Sequence, residues 1–405
     1  MISVAEALRV IVTNGWQGST KEIPIDEANG CLLAENVVAD RDFPPFDRVT
    51  MDGIALNMNT LRATMRWRRG IPFPVEGTHF AGQPSKGLSH PLHTMEVMTG
   101  AVMPNGADTV VRYEDIEFQE IEGRKYVQLN VLPKRIGQNV HHQGTDRRAG
   151  ALLIAAGTKL SPAEIAVAAS VGKPTLKVLQ MPHMAIISTG DELVDIPDTP
   201  LPHQIRRSNS YMLQAALASH GITTEIFHLS DDKDLIRQKV SELLNTFDAL
   251  ILNGGVSEGK ADFVPTVLAE LGVEKLFHKV AQRPGKPFWF GKSPEGKVVF
   301  ALPGNPVSTF VCCYKFVLGW LKVAQTPSLS VKATLTEPVF FSPELTYFVP
   351  VSTHYAHDGR LLATPLQGSG SGDFANLLDC DGFLELPAER TDFKVGEVFE
   401  LIGFR

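Results

Sequence analysis

Short apolar runs alternate with amphipathic stretches from His183 onward. The runs HMAIIS, TTEIFHLS and DALILNGG predict buried strands, because each is a short apolar segment bounded by polar residues or glycine. Between them, SNSYMLQAALASHG predicts a helix capped by Ser208 and ended by Gly221. DDKDLIRQKVSELLNT predicts a second helix, whose acidic start suits the positive end of the helix dipole.

The alternation continues to the end of this region. FVPTVLAELG predicts a helix, KLFHKV, FWFG and VVFALPG predict strands, and a long helix is predicted from about Asn305 to Ala324. Repeated strand–helix units of this length form a parallel or mostly parallel sheet that helices cover on both faces. The pattern therefore predicts a doubly wound, mostly parallel α/β domain over residues 181–326.

The segments on either side of this domain differ from it in residue composition and in predicted secondary structure. Residues 44–140 are rich in β-branched residues, glycine and proline, with strand-like runs such as MEVMTG, TVVRYEDIEF and KYVQLNVL. Residues 327–405 return to short strands, whereas residues 1–43 and 141–180 each contain a helical pattern. We expect 1–43 and 141–180 to form one discontinuous domain, 44–140 an inserted mainly β domain, and 327–405 a C-terminal β domain.

Composition narrows the class of protein. The chain has 405 residues, which suits several domains, since one domain usually spans roughly 100–200 residues. Apolar residues make up 43% of it and charged residues 20%, a globular balance. The net charge of −7 and the lack of a lysine or arginine block argue against nucleic acid as a partner.

Cysteine usage and hydropathy bear on the compartment. Cys31, Cys312, Cys313 and Cys380 show no CxxC spacing, and the adjacent pair lies in an apolar helical stretch. Buried thiols are expected there rather than disulfides or a zinc site. No apolar stretch is long enough to cross a membrane, and the N-terminal segment lacks the features of a signal peptide. We therefore expect a cytoplasmic protein with no membrane partner.

Polar residues and glycines follow the predicted strands of the α/β domain. In sheets of this kind, ligands bind beyond the carboxyl ends of the strands. The strand-end loops STGDEL, SDD, NGGVSEGKADF and LPGNPVS supply candidate ligand-binding residues, namely Ser188, Thr189, Gly190, Asn253, Gly254, Gly255, Ser257, Gly259, Gly304 and Asn305. Each loop alone could be an ordinary turn or helix cap. Four of them at one sheet edge indicate a binding site, because turns seldom need carboxylates, glycines and hydroxyls together.

The residue types in these loops suit a phosphorylated ligand. Glycines let backbone N–H groups approach oxyanions, and helix N-termini add positive potential. Four carboxylates offer hard oxygen ligands for Mg²⁺, namely Asp191, Glu192, Asp231 and Asp262. Arg283 and Lys286, in the segment RPGKP, offer cations that offset phosphate charge, although RPGKP alone could be a rigid turn. Two loops of the inserted β region, around Asp52 and Thr99, also stand out, although each alone is more often structural. The pair His141 and His142 lacks a third metal ligand at useful spacing and is expected to be a loop feature.

The motifs together resemble the molybdopterin molybdenumtransferase family (MoeA, and the E domain of gephyrin and of plant molybdenum-cofactor proteins). The similarity covers essentially the whole chain and rests on MDG at Met51–Gly53, MTG at Met98–Gly100, GTKL at Gly157–Leu160, STGDEL, NGGVSEGKAD, RPGKPFWFG, LPGNPVS and QGSG at Gln367–Gly370. The resemblance implies a homodimer of four-domain subunits. It also implies a reaction in which adenylylated molybdopterin is hydrolysed with Mg²⁺, AMP leaves and molybdate is inserted.

The resemblance assigns roles by motif position. Asp231 and Asp262 would hold Mg²⁺ or assist hydrolysis, with Glu192 nearby, and Lys286 and Arg283 would contact molybdate or phosphate. Ser369 would lie at the molybdate site, and Pro303 and Pro306 would shape the loop beside it. Asp52 and Thr99 would reach the cleft from the other subunit. A molybdopterin adenylyltransferase and molybdoenzyme apoproteins are candidate partners.

The chain also departs from the family pattern. The family usually has Lys where Arg283 stands, an acidic residue where Thr145 stands, and Asp where Arg207 stands. In the C-terminal domain, Leu345 and Pro350 stand where the family usually has arginines. Losing an arginine from an oxyanion pocket removes a contact worth about 1.5–3 kcal/mol. Two alternatives therefore stay open, a non-catalytic molybdopterin-binding carrier or scaffold and the related adenylyltransferase, which shares the α/β domain.

Overall fold

The computed structural model describes residues 1–256, 263–321, 330–366, 370, 372 and 374–405. The chain divides into two compact units. The first unit comprises residues 1–22, 157–159 and 177–405, and the second comprises residues 23–156 and 160–176. The domain boundaries expected at residues 43, 140, 180 and 326 stay a prediction.

The first unit contains a six-stranded sheet. In spatial order its strands are Thr223–Leu229, His183–Thr189, Ala249–Asn253, Val298–Leu302, Trp289–Lys292 and Glu274–His278. The first four are parallel, whereas Trp289–Lys292 runs antiparallel to both of its neighbours. The prediction of a mostly parallel α/β sheet is confirmed.

Helices cover both faces of this sheet, because alternate strand residues point to opposite sides. Met184 and Ile186 pack with the helices Val4–Thr13 and Ser208–Ala218 and with the segment Pro306–Leu321. Ala185 and Ile187, one position along, pack on the other face with the helices Lys233–Thr246 and Val264–Glu270. Both sets are fully buried. The order of strands and helices agrees with the sequence pattern.

Two details of the predicted helices were wrong. Ser208 is the first helical residue and not the cap; the cap position belongs to Arg207, whose side chain makes no capping hydrogen bond. Arg207 instead pairs with Asp195, its Nε 2.6 Å from Oδ1. The predicted long helix is not regular, since its described part consists of the α-helix Pro306–Cys312, a π-helical turn Cys313–Val317 and the α-helix Leu318–Leu321.

The first unit also holds a C-terminal β-sheet. In spatial order its strands are Gln282–Arg283, Thr346–Tyr355, Leu361–Pro365, Lys332–Leu335, Val398–Gly403 and Gly382–Leu386. Thr346–Tyr355 also pairs with Gly382–Leu386. The last five strands of this order therefore form a closed sheet. Gln282–Arg283 extends this sheet by pairing in parallel with Thr346 and Tyr347. This pairing places the RPGKP segment against the C-terminal strands.

The second unit is built on another six-stranded sheet. Its strands are, in spatial order, Thr109–Arg112, Gly53–Leu56, Thr94–Val97, Phe73–His79, Arg124–Leu129 and Ile116–Ile121. The predicted mainly β character of this region is confirmed. The helix Pro162–Ser170 begins at Ser161, whose side chain forms a capping box with Glu164, and the chain turns at Gly172 with a positive φ of 73°.

Short elements complete the described part of the chain. They are the helix Met58–Thr64, the 3₁₀ turns Ile25–Glu27, Arg66–Arg69, Tyr113–Asp115 and Phe374–Leu378, and the strands Thr20–Pro24, Val37–Val38, Arg48–Val49, Val140–His141, Leu152–Ile154, Thr175–Leu179, Leu193–Val194, Ile205–Arg206, Val339–Phe340 and Asp392–Phe393. Across the residues that were described, no helix is long and apolar enough to cross a membrane. All four cysteines are free thiols; Cys312 and Cys313 are buried, as expected, and Cys380 is buried as well.

Candidate active site

A cavity of about 930 Å³ opens in the first unit between the strand-end loops and the C-terminal sheet. It lies at the carboxyl ends of the parallel strands, where this kind of sheet binds ligands. The predicted residues that line it are Thr189, Gly190, Glu192, Asp231, Gly254, Gly255, Arg283, Lys286, Pro303, Gly304 and Asn305. The structure thus brings residues from five separate stretches of the chain to one cavity.

Other predicted residues lie elsewhere. Ser188 is 1% exposed and hydrogen-bonds the hydroxyl of Ser210, and neither Asn253 nor Pro306 lines the cavity. Asp52 and Thr99 belong to the second unit. The predicted residues Ser257, Gly259, Asp262 and Ser369 lie outside the described part of the chain.

Asn253 does not line the cavity but holds one of its loops in place by hydrogen bonds. Its side chain is 4% exposed, and Nδ2 donates to the Pro303 carbonyl over 2.8 Å and to Thr309 Oγ1 over 2.9 Å. Its Oδ1 accepts from Asn209 Nδ2 over 2.9 Å, and the same Nδ2 donates to the Gly304 carbonyl over 2.7 Å. Because buried amides rarely go unpaired, this network fixes the loop after Leu302 to the end of the neighbouring strand.

Thr189, Gly254 and Gly255 lie close together at the cavity, and the two glycines are named here its glycine floor. A Cβ on Gly254 would lie 2.8 Å from the Thr189 carbonyl oxygen, and one on Gly255 would lie 3.0 Å from Thr189 Oγ1. Both glycines have positive φ, 97° and 63°, a conformation that favours glycine. Among the described residues, the buried Thr189 Oγ1 has no hydrogen-bond partner. Its hydroxyl proton is therefore not used by any described protein group.

Glu192 and Asp231 bring two carboxylates to the cavity. Asp191 Oδ1 accepts a hydrogen bond from the Asp231 backbone N–H over 3.1 Å, which joins the first and second strand-end loops. The Glu192 carboxylate lies over Gly190, where a Cβ would come within 2.4 Å of Oε2. Carboxylate oxygens at a phosphate site suit Mg²⁺, so both residues fit the predicted ion. Where residues are described, no group of three metal-ligating side chains is present.

Two cations line the same cavity as the carboxylates. Arg283 and Lys286 are exposed, and neither forms an ion pair with a carboxylate in the described ranges. The Arg283 guanidinium carbon lies 5.8 Å from the Phe341 ring centroid, a cation–π distance. These two side chains therefore give the cavity a positively charged side that is available to an anion.

Gln282 fixes the turn that presents both cations, and the sequence analysis missed it. It is 1% exposed; its Nε2 donates to the Pro284 carbonyl over 3.1 Å and lies 3.5 Å from Cys312 Sγ. A Cβ on Gly285 would lie 2.5 Å from that nitrogen, so only glycine fits. Gln282 Oε1 has no partner among the described residues. Its position directly before RPGKP was the only available signal.

The C-terminal region contributes an apolar wall to the cavity. The positions of the strand-end loops in the sequence could not have predicted this wall. The wall consists of Leu345, Tyr347, Phe348, Pro350, Leu366 and Leu377. Leu345 and Pro350 are the positions where the resemblance placed missing arginines, and both do line the cavity. The described residues on this side of the cavity therefore offer apolar contact.

Asp52 and Thr99 form a compact motif in the second unit. Both are exposed, and Thr99 donates to Asp52 Oδ1 from its backbone N–H and from its hydroxyl. These two bonds hold the pKa of Asp52 below its usual value. The nearby histidines have structural partners: His141 Nε2 lies 2.9 Å from Asp146 Oδ1, and His142 Nδ1 lies 3.3 Å from Asp47 Oδ2.

Comparison with known proteins gives one consistent result along the whole chain. Residues 2–172 match the MoeA N-terminal region (domain I and II), residues 185–323 match a probable molybdopterin binding domain, and residues 332–404 match the MoeA C-terminal region (domain IV). The chain is similar to the molybdopterin molybdenumtransferase of Synechocystis sp., with 39% identity over 98% of this chain and 99% of the relative.

Two further relatives agree with this result. The molybdopterin molybdenumtransferase of Bacillus subtilis is 32% identical over 100% of this chain and 94% of its own length. A crystal structure of the molybdopterin biosynthesis MoeA protein from Pyrococcus horikosii has a TM-score of 0.82 and 30% identity, covering 99% of this chain and 98% of that one. The cavity with its glycine floor, paired carboxylates and two cations thus lies in a chain that belongs to the molybdopterin molybdenumtransferase family.

Proposed function

We propose that this chain is an enzyme of molybdenum cofactor biosynthesis that inserts molybdate into adenylylated molybdopterin, with Mg²⁺-dependent release of AMP. One observation carries the proposal: Thr189 and its glycine floor, two carboxylates, and two cations without an ion pair to any described carboxylate line a single cavity. This combination suits a ligand that has both a phosphate group and a metal ion bound to it.

The phosphate side follows from donors and charges. The Thr189 hydroxyl, which lacks a described partner, can donate to a phosphate oxygen, and Gly254 and Gly255 let a ligand approach the backbone closely. Arg283 and Lys286 oppose the charge of phosphate or molybdate, both of which are oxyanions. Because charge builds up on the phosphate as the phosphoanhydride is cleaved, cations held there favour AMP release.

Asp231 and Glu192 would hold the magnesium ion, with Asp262 as the third predicted ligand. Bound Mg²⁺ supplies a Lewis acid that neutralises charge on phosphate oxygens. The hydrogen bond from the Asp231 N–H to Asp191 keeps the second strand-end loop beside the first, so that both carboxylates face the same space. Asn253 keeps the loop from Pro303 to Asn305 in place beside them.

The apolar wall would receive the pterin part of the substrate. Tyr347, Leu345 and Pro350 present flat or aliphatic surface to the cavity, which suits a fused ring better than an oxyanion. Molybdate would therefore be held from the side of Lys286 and Arg283, with Ser369 as a further predicted contact. Without arginines in this wall, we expect weaker molybdate binding than an arginine-lined pocket gives.

A cytoplasmic homodimer is part of the proposal. Four free thiols suit a reducing compartment. The partner subunit's Asp52 and the partner subunit's Thr99 would complete the cleft, as the resemblance implies. A molybdopterin adenylyltransferase that supplies the substrate, and molybdoenzyme apoproteins that accept the product, are the partners this reaction requires.

The test is a reconstituted reaction. The purified chain is mixed with adenylylated molybdopterin, Mg²⁺ and molybdate, and AMP release and cofactor formation are measured. We expect Asp231→Asn to slow AMP release by roughly a hundredfold or more, as loss of a metal ligand or positioned carboxylate does. Asp234→Asn, on the exposed start of the next helix, is the matched control. A folded protein that releases no AMP above background would refute the proposal.

The apolar wall keeps one alternative in view, a molybdopterin-binding carrier without turnover. It predicts tight binding of the pterin substrate with no AMP release above background. The adenylyltransferase alternative is disfavoured, because the chain matches molybdenumtransferases over nearly their whole length. Transfer of AMP from ATP to molybdopterin would restore it.

A further inference from the structure

The second unit carries a local excess of positive charge in a chain whose net charge is −7. Residues 58–72 contain four arginines and residues 130–138 contain one lysine and one arginine, and neither segment contains a carboxylate. The Arg62 guanidinium joins the segments by donating to the Lys134 carbonyl over 3.4 Å. Six cationic residues therefore lie in two neighbouring segments, although the chain as a whole has a negative net charge.

The backbone gathers the two segments around an apolar groove. The helix Met58–Thr64 ends at Met65, which has a left-handed conformation with φ 50°, and the 3₁₀ turn Arg66–Arg69 follows. Together with the second segment they form a cavity of about 310 Å³. Its lining residues, named here the arginine groove, are Met58, Leu61, Arg62, Met65, Trp67, Arg68, Leu132 and Pro133.

The floor and the edge of the arginine groove differ. Met58 and Leu61 are 2% and 3% exposed, so they form a fixed apolar floor, whereas Met65 is 47% exposed at the edge. The same two segments carry further exposed apolar side chains, with Ile71 37% and Val131 51% exposed. Exposed apolar side chains that border a pocket are typical of interaction sites.

The edge cations are available for a partner. Arg62, Arg68 and Arg69 are exposed, and across the described ranges none of them forms an ion pair with a carboxylate. Arg68 instead lies over the Trp67 ring, with 5.1 Å from the guanidinium carbon to the ring centroid. Arg66 differs, because it donates to the Pro72 carbonyl over 3.0 Å and serves the turn itself.

We propose that the arginine groove docks a segment of another protein in which one large apolar side chain is flanked by carboxylates. The apolar side chain would fill the cavity over Met58 and Leu61, which supplies affinity by removing apolar surface from water. The flanking carboxylates would pair with Arg62 and Arg68, whose guanidinium groups favour bidentate contacts with carboxylates. Charge complementarity selects an acidic partner, and the apolar floor selects one with an anchor residue.

A nucleic acid fits this groove less well. Phosphates would satisfy the arginines, but they would leave the apolar floor uncovered. Base stacking needs an open aromatic face. Trp67 is half-buried and already has Arg68 over its ring. The proposal concerns the second unit alone and does not depend on the proposed reaction.

The test uses a fluorescein-labelled peptide, Asp-Glu-Asp-Leu-Asp-Glu-Asp, and fluorescence anisotropy with the full chain. We expect saturable binding that weakens as salt is raised, and roughly tenfold weaker binding when the leucine is replaced by serine. The double variant Arg62→Glu/Arg68→Glu should weaken binding by roughly tenfold or more. Arg237→Glu, on the helix Lys233–Thr246 of the first unit, is the matched control and should bind as the parent does.

Three results would overturn the proposal. The first is no saturable binding of the leucine peptide, with circular dichroism showing that the chain is folded. The second is equal affinity for the leucine and serine peptides, which would reduce the site to charge alone. The third is Arg62-dependent binding of single-stranded RNA or anionic vesicles that outcompetes the peptide, or an Arg62-dependent change in oligomeric state, since each identifies a different occupant.

Discussion

Thr99 donates two hydrogen bonds to a single carboxylate oxygen of Asp52, from its backbone N–H over 2.6 Å and from its hydroxyl over 2.7 Å. Both residues are at the surface of the second unit, so burial does little to the carboxylate. The hydrogen bonds stabilise the ionised form and lower the pKa of Asp52. Two of the sequence motifs, MDG and MTG, thus form one structural feature.

Thr99→Val should raise the pKa of Asp52 toward its usual value, because the hydroxyl bond is lost while the backbone bond remains. The measurement is the carboxyl ¹³C shift of Asp52 as a function of pH. Because the pKa of Asp52 is lower in the folded state, the pair stabilises the fold at pH values above the unfolded-state pKa. This contribution to the free energy of unfolding is lost as the pH falls through the folded-state pKa. Thr64→Val, whose hydroxyl bonds the Thr60 carbonyl, should leave the pKa of Asp52 unchanged.

Gly53→Ala should destabilise the second unit by about 3 kcal/mol, since an added Cβ would lie only 1.9 Å from the Val111 carbonyl oxygen. That contact lies between the paired strands Gly53–Leu56 and Thr109–Arg112, which cannot separate without losing hydrogen bonds. Urea unfolding measures the change. Gly403→Ala, with no atom within 4 Å of the added Cβ, should change stability by less than about 0.5 kcal/mol. Equal effects of the two variants would contradict the steric argument.

Asn253→Leu should lower the free energy of unfolding by about 3 kcal/mol, because the three hydrogen bonds of its amide, to the Pro303 carbonyl, Thr309 Oγ1 and Asn209 Nδ2, are lost at about 1 kcal/mol each. It should also weaken phosphate binding, since the loop from Pro303 to Asn305 loses its support. Thermal or urea unfolding and isothermal titration with phosphate measure the two effects. Asn245→Ala, at an exposed site on the helix Lys233–Thr246, is the control. Unchanged phosphate affinity in a folded Asn253→Leu protein would show that the network does not position the loop.

Gln282→Met should weaken binding of free pterin by roughly fivefold, the worth of one hydrogen bond. The reason is that Oε1 of Gln282 is buried at the cavity and lacks a described partner, and an acceptor of this kind pairs with an N–H donor and repels an oxyanion. Quenching of pterin fluorescence gives the affinity. Gln214→Met, whose amide bonds Thr224 away from the cavity, should bind pterin normally. Equal affinity of all three proteins would remove Gln282 from ligand recognition.

Thiol reactivity should single out Cys31. Burial raises the pKa of Cys313 to about 12 and raises the pKa of Cys312 and of Cys380, which keeps these thiols protonated and inaccessible. Cys31 is the part-exposed thiol. Ellman's reagent should therefore label one thiol in the native protein and four after denaturation. Rapid labelling of a second thiol in the native state would contradict the buried positions.

The pattern of apolar and polar residues along the chain predicts most of the strands and helices of the α/β domain. The uninterrupted apolar run Met184–Ile187 indicates a strand covered on both faces, and in the structure successive residues of this run pack in two different cores. Local chemistry also explains the helix that begins at Ser161, since a capping box needs only residues within one turn. Strand-end loops follow from this alternation, which is why Thr189, Glu192, Asp231 and Gly254 could be named in advance.

Only the tertiary structure decided which polar residues face the ligand and which face the protein. Ser188 and Asn253 directly precede Thr189 and Gly254 in the sequence, but their side chains bond to Ser210 and Thr309, partners distant in sequence. In the same way, the sequence by itself determined that RPGKP supplies cations. The pairing of Gln282–Arg283 with Thr346 and Tyr347 set those cations beside an apolar wall. Periodicity reports burial along one segment, whereas the composition of a cavity depends on which segments meet.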